Sequence, residues 1–252
     1  MYPFINILGL QIPLYGLMMA LAFAVALWYC VARKKALGLT SDQIVDIVFY
    51  LLIGAIIGGK LCYIIFYWQD FQAASALDKL RYGFVFLGGF IGAAISSVII
   101  FRKQKIPFFK GADFFTPAIP LGHAIGKIGC FLAGCCYGKI SHLPWLSVAY
   151  NNQNSLVPEH LHGVGLYPIQ LIESFTDIIL FLILHKLYKA KHKDGTVFAA
   201  YIIGFCVVRF VVEFFRGEDE VYILGITQTQ ITSLILIILA TTFLMVRKYA
   251  KR

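Results

Sequence analysis

The run IPLYGLMMALAFAVALWYCVA, residues 12–32, carries no charged side chain. At 1.5 Å of rise per residue, such a run makes a helix that crosses the roughly 30 Å hydrocarbon core of a bilayer. Comparable apolar runs recur near 44–67, 83–101, 115–137, 167–187, 196–215 and 226–246. Composition agrees, with 60% hydrophobic and only 14% charged residues among 252, and a mean hydropathy of +0.78. Soluble domains are about 25% charged. The patterning predicts an all-α membrane protein, a single transmembrane domain over residues 1–252 built as a seven-helix bundle. It excludes a disordered chain, a collagen-like fibre, a pair of soluble domains and, with six cysteines in 252 residues, a disulfide scaffold.

Residues 1–11 contain no Lys or Arg, and the first run lacks a small-residue cleavage site. The run is therefore read as a retained helix and not as a signal peptide. The third run is interrupted by Gly88, Gly89 and Gly92, the fourth by Pro117, Pro120 and a train of glycines. Broken helices persist at membrane depth only where protein or a polar cavity covers the freed backbone, so both interruptions are candidate site markers.

Positive charge sets orientation. Arg33, Lys34, Lys35, Arg102, Lys103, Lys105, Lys110, Lys186, Lys189, Lys191, Lys193, Arg247, Lys248, Lys251 and Arg252 fall on one side, against Lys79, Arg81, Lys139 and Arg216 on the other. This bias predicts an outward N-terminus and a cytoplasmic C-terminus, which requires an odd number of spans. The connection 139–166 then forms an external loop or cap. The net charge of +9 sits largely at these helix ends, so it is read as topology and not as a nucleic-acid surface.

Ionisable groups inside a span are costly and gather in bundle interiors or cavities. Lys60, His123, Lys127, Glu173, Asp177, Arg209 and Glu213 are such groups. Tyr15, Leu87, Lys127, Cys130, Gln170, Glu173, Arg209 and Glu213 fall in the outer halves of their runs, which predicts one cavity open to the outer leaflet. Arg209, Glu213 and Arg216 are spaced i, i+4, i+7 and so share one face of a continuous helix. Guanidinium groups so placed can clamp a lipid phosphate while the carboxylate orients one of them; the alternative is a structural ion pair with Arg216 reaching to the interface.

In the fourth run, PLGHAIGKIGCFLAGCCYG at 120–138, His123, Lys127, Cys130 and Gly134 form a stripe at helical spacing. Gly122, Gly126 and Gly129 let another backbone approach closely. Cys30, Cys62 and Cys206 lie in apolar runs and read as small core residues. Cys130, Cys135 and Cys136 cluster beside Lys127 and His123, and three readings stay open: close packing or an oxidised pair, a reactive thiolate, or a metal site. Their spacing does not match the usual zinc-finger patterns, so no metal is assigned from sequence. No glycine-rich turn joins a soluble strand to a helix, so no nucleotide cofactor is expected.

Five ordered stretches together resemble the bacterial prolipoprotein diacylglyceryl transferase family across nearly the whole chain. They are LYGLM at 14–18, FLGG at 86–89, the run 120–138, YPIQLIE at 167–173 and RFVVEFFR at 209–216. The resemblance implies seven transmembrane helices and a cavity that takes phosphatidylglycerol from the outer leaflet of the cytoplasmic (inner) membrane. It also implies transfer of the diacylglyceryl group to the thiol of a prolipoprotein signal-peptide cysteine, forming a thioether and releasing glycerol phosphate. By motif position, Arg209 binds the donor head group, Glu213 and Gln170 arrange it, and Tyr15 and Glu173 line the site with Arg216.

Departures from the family pattern carry their own consequence. The family's His-Gly-Gly histidine is Leu87 here, the arginine of its signature helix is Lys127, its asparagine is Cys130, a glutamate is Cys135, and the histidine before Pro168 is Tyr167. Leu87 cannot accept a proton, and Lys127 keeps charge but loses the bidentate fork. His123, one turn before Lys127, is the candidate relocated base. Cys130, Cys135 or Cys136 is a candidate nucleophile, alongside Lys127 and Glu213 as catalytic groups. The alternatives are a paralogue that passes a lipid-derived group to another acceptor, and a lipid-binding membrane protein without chemistry.

Overall fold

The computed structural model describes residues 3–7, 9–73, 75, 83–217, 222–223 and 225–249. Lys79, Arg81, Lys251 and Arg252, used above for orientation, lie outside the described residues. The described chain is mostly helical: α1 Leu14–Ala32, α2 Ser41–Phe66, α3 Trp68–Ala73, α4 Phe86–Lys103, α5 Phe108–Phe115, α6 Ala118–Ala133, α7 Ile169–Lys189, α8 Thr196–Val212 and α9 Gln228–Tyr249. Three short antiparallel hairpins complete it, β1 Phe4–Ile7 with β2 Leu10–Pro13, β3 Val148–Ala149 with β4 Gly165–Leu166, and β5 Tyr222–Ile223 with β6 Ile226–Thr227.

Among the described residues, four helical stretches are long and apolar enough to cross a membrane: Leu14–Ala32, Ser41–Phe66, Thr196–Phe215 and Gln228–Arg247. The other three expected runs also form helices, with different limits and character. α4 has 18 residues and α6 only 16, short of the roughly 20 that a span needs. α7 has 21 but buries Gln170, Glu173 and Asp177.

Residues 30–114 form one compact unit. Its α2 starts on a capping box, in which the Gln43 amide N–H donates to the Thr40 hydroxyl (3.2 Å) and the Thr40 N–H to Gln43 Oε1 (2.9 Å). Antiparallel α2 and α4 meet glycine to glycine. A Cβ on Gly92 would lie 2.0 Å from the Gly54 carbonyl oxygen, and one on Gly58 2.3 Å from that of Gly88. The glycines at 88, 89 and 92 therefore do not interrupt the helix as a site marker would. α4 runs unbroken through them, and they remove side chains where two backbones touch.

Residues 1–29 and 115–252 form the second unit. Here the prolines explain the other interruption. Pro117 is the N-cap of α6 and Pro120 sits in its first turn, where the missing N–H has no intrahelical partner to lose. The run 115–137 is thus not one helix: it starts at Ala118, and it stops at Gly134, whose left-handed φ of 82° ends the helix. The glycine stripe of α6 does receive a helix. Gly122 faces Ala22 and Ala26 of α1, Gly126 faces Met19, and Gly129 faces Met18 and Tyr15. Antiparallel α7 packs along the other side of α6, and Leu180 and Leu184 of α7 join Val197 of α8 in an apolar core.

The connection 139–166 has a core of its own. Tyr150, Val157 and Leu166 are buried there beneath Tyr137, Val148, Leu161 and Val164, with β3 and β4 closing its ends. Apolar side chains cover the outward surfaces of the long helices, as at Ile238 and Leu239 of α9, which suits a hydrocarbon environment.

Candidate functional site

The site is built on the antiparallel pairing of α6 with α7, rung against rung. His123 and Lys127 stand one turn apart on α6, and Asp177 and Glu173 one turn apart on α7. His123 Nδ1 meets Asp177 Oδ2 at 2.6 Å, and Lys127 Nζ donates to Glu173 Oε2. Between the rungs the Ser174 hydroxyl donates to the Ala124 carbonyl at 2.8 Å. Because both helices repeat every 3.6 residues, the i, i+4 spacing on each side keeps both pairs in register.

The second rung continues into α8. Arg209 donates to Glu173 Oε1 at 3.2 Å and reaches Glu213 Oε2 at 3.0 Å. Glu213, fully buried as a side chain, also has Arg216 Nε at 3.8 Å and accepts from the Thr227 hydroxyl at 3.3 Å. Gln230 fixes that threonine: its side-chain oxygen accepts from the Thr227 N–H at 3.0 Å, and its own N–H donates to the Thr227 hydroxyl at 3.2 Å. The result is an alternating chain, Lys127, Glu173, Arg209, Glu213, Arg216. Within this run each of the two carboxylates lies between cations.

Arg209, Glu213 and Arg216 do converge, but not on one helical face as their spacing predicts. α8 ends at Val212, Glu213–Phe215 form a 3₁₀ turn, and Arg216 is extended. Its backbone bridges to Gly138, with the Gly217 N–H donating to the Tyr137 carbonyl at 3.1 Å. The tighter turn and the strand-like exit bring Arg216 back to Glu213.

Beyond the end of α6, the loop that carries Cys135 and Cys136 is pinned. Gln170 donates to the Cys135 carbonyl at 2.7 Å and to the Tyr150 hydroxyl at 3.1 Å. Burial pushes the Tyr150 phenol up to about 12, so it stays protonated at neutral pH. Gln170 is fully buried, and its Oε1 has no hydrogen-bond partner among the described residues. That oxygen keeps unused acceptor capacity in a buried setting.

Cys130, Cys135 and Cys136 are all free thiols, half-buried, and their three sulfurs lie within 4.8 Å of one another. Tyr15 is half-exposed on α1 beside Gly129. Leu87 lies on α4, in the other compact unit, and is 61% exposed.

Lys60, expected among the intramembrane charges, lies in that unit too and donates to the Gly83 carbonyl at 3.2 Å, whereas the candidate catalytic and substrate-binding residues fall in the unit that holds α6 and α7. Sequence reasoning set Asp177 among the intramembrane charges but not in the site. Its signal was the i+4 step from Glu173, matching the i+4 step from His123 to Lys127. Thr227, Gln230 and Tyr150 had no signal short of the fold.

Two kinds of comparison bear on these residues. The family model described as prolipoprotein diacylglyceryl transferase matches residues 3–246. The phosphatidylglycerol–prolipoprotein diacylglyceryl transferase of Clostridium tetani is 34% identical over 248 residues, 98% of each chain. The protein of the same name from Finegoldia magna is 34% identical over 252 residues, 98% of this chain and 95% of that one. The one from Geobacter sulfurreducens is 35% identical over 217 residues, 83% and 80% of the two chains.

Proposed function

Because the chain belongs to the prolipoprotein diacylglyceryl transferase family, we propose that it moves the diacylglyceryl group of phosphatidylglycerol to the cysteine thiol of a prolipoprotein. Glycerol phosphate is the leaving group. The observation that carries this reading is the buried chain Lys127, Glu173, Arg209, Glu213, Arg216, in which Arg209 is the least buried of the three cations at 18% side-chain exposure. A phosphodiester is held at that guanidinium by charge-assisted, bidentate hydrogen bonds.

In this reading the carboxylates hold the cations apart in fixed positions, so that little reorganisation is needed when charge develops on the departing phosphate. Gln170 Oε1 accepts from a glycerol hydroxyl of the head group, and Tyr15 borders the acyl side. His123 is the base. Asp177 holds its Nδ1–H, which leaves Nε2 with a lone pair for the proton that thioether formation releases. The chain sits in the cytoplasmic membrane with seven spans, its N-terminus outward and its C-terminus cytoplasmic, and residues 139–166 form the outer cap.

Leu87 and Tyr167, both histidines in the family pattern, favour a second reading in which the donor is unchanged and the acceptor is another lipid or a glycan. Incubation of the purified protein with labelled phosphatidylglycerol and a lipobox peptide separates the two. Mass spectrometry is expected to find a diacylglyceryl thioether on the peptide and released glycerol phosphate. Donor turnover with an unmodified peptide would replace the first reading by the second, and an intact donor would refute both.

A further inference from the structure

Cys130 in the last turn of α6 and Cys135 and Cys136 in the loop beyond it are brought together by a tight turn of the chain. Gly134 (φ 82°) and Cys136 (φ 56°) turn the chain back on itself, and Cys136 is one of two non-glycine residues with positive φ among the described residues. A left-handed conformation costs a non-glycine residue energy unless its surroundings impose it. Here they do. The Leu156 N–H donates to the Ala133 carbonyl (2.9 Å), Gln170 to the Cys135 carbonyl (2.7 Å), the Gly138 N–H to Tyr167 (3.1 Å) and the Gly217 N–H to Tyr137 (3.1 Å). Gly134 supplies the left-handed φ that a side chain would strain, and a Cβ there would also lie 2.1 Å from Ser155 Oγ.

The turn folds Cys135 and Cys136 back against Cys130 of α6, so that three sulfurs lie within 4.8 Å of one another. Tetrahedral zinc with Zn–S bonds of about 2.3 Å sets its sulfurs about 3.8 Å apart, so side-chain rotation alone closes the remainder. An all-sulfur donor set selects thiophilic ions over magnesium or calcium. Lys127 and Arg216 are the cations whose field reaches Cys136, which favours a thiolate there.

We propose that Cys130, Cys135 and Cys136 hold a zinc ion through three thiolates, and that its fourth position takes the acceptor cysteine as a thiolate poised for alkylation. The second half rests on the transferase reading above. Three protein ligands with one open position is the arrangement of a reactive zinc site. The step balances without redox chemistry. The acceptor S–H gives its proton to the base of the site, the S–C bond to the glyceryl carbon forms, and the C–O bond to phosphate breaks. Its electron pair leaves with glycerol phosphate, which takes up the proton.

The test uses the full chain, purified under reducing conditions and dialysed against zinc and, separately, cobalt(II). Expected are about one zinc per chain, loss of it in Cys130→Ser and Cys136→Ser, and retention in Cys62→Ala. Zinc should also protect three of the six thiols from alkylation. The cobalt form should show thiolate charge-transfer and tetrahedral visible bands that shift on adding a lipobox peptide and not its Cys→Ser analogue. Native melting of the variants guards against simple misfolding. A chain that binds no metal while modifying the peptide overturns the zinc site and leaves the transferase reading intact. Metal binding with no peptide-dependent shift overturns the acceptor role. Conversion of two of the three cysteines to a disulfide that persists in thiol reductant overturns the site altogether.

Discussion

Two antiparallel helix pairs in this protein solve the same problem in opposite ways. α2 and α4 join by having no side chains at the contact, Gly54 and Gly58 against Gly88 and Gly92. α6 and α7 join through ionisable side chains, His123 with Asp177 and Lys127 with Glu173. Lipid offers little hydrophobic drive between helices, so association must come from close packing or from polar pairing. The glycine pair is sensitive to volume and indifferent to charge. The ionic pair is the reverse, and only it can do chemistry.

The comparison breaks most visibly at Glu173, the one carboxylate shared by Lys127 and Arg209. Glu173→Ala leaves two cations facing each other in a buried site, and is expected to cost about 3–5 kcal/mol of stability and to abolish donor turnover. A thermal melt in detergent beside a phosphatidylglycerol assay checks both; unchanged melting would mean the rung is solvated and not structural.

His123→Ala is expected to lower turnover by about 10²–10⁴-fold and, because it leaves the buried Asp177 carboxylate without its partner, to cost about 1–3 kcal/mol in the melt, less than Glu173→Ala. Asp177→Asn should recover part of the activity of the wild type and none of its pH profile. Normal turnover by His123→Ala would remove the base from this histidine.

On the glycine pair, Gly92→Ala puts a Cβ 2.0 Å from a backbone oxygen that cannot move aside, and should cost about 1–3 kcal/mol. The charge-neutral character of that contact predicts a melt insensitive to salt. The smallest effect is expected at Thr227→Val, which removes the hydroxyl donated to Glu213 and one arm of the Gln230 cap. A loss of about 1 kcal/mol, with donor affinity falling by no more than about tenfold, marks it as a positioning contact.

Several features could be read before any fold was known. The glycine stripe of α6 announced a close helix, and α1 lies there. The intramembrane charges announced a shared polar interior, and Lys127, Glu173, Arg209 and Glu213 form one. Other features misled for identifiable reasons. Glycines at 88, 89 and 92 read as breaks because glycine is a poor helix former in water, whereas two helices in contact hold each other straight. The i, i+7 step to Arg216 presumed a helix that ends at Val212.

Sequence alone determined that the chain is helical and apolar enough for a membrane, that the glycine face of α6 meets another helix closely, and which side chains are too costly to leave in lipid. These follow from hydropathy, period and desolvation, all local properties. Tertiary structure decided which charge meets which, that Asp177 completes the histidine rung, that a 3₁₀ turn returns Arg216 to Glu213, and that three cysteines share one point. Each depends on the direction a chain takes after a helix stops, and a single left-handed residue there redirects everything that follows.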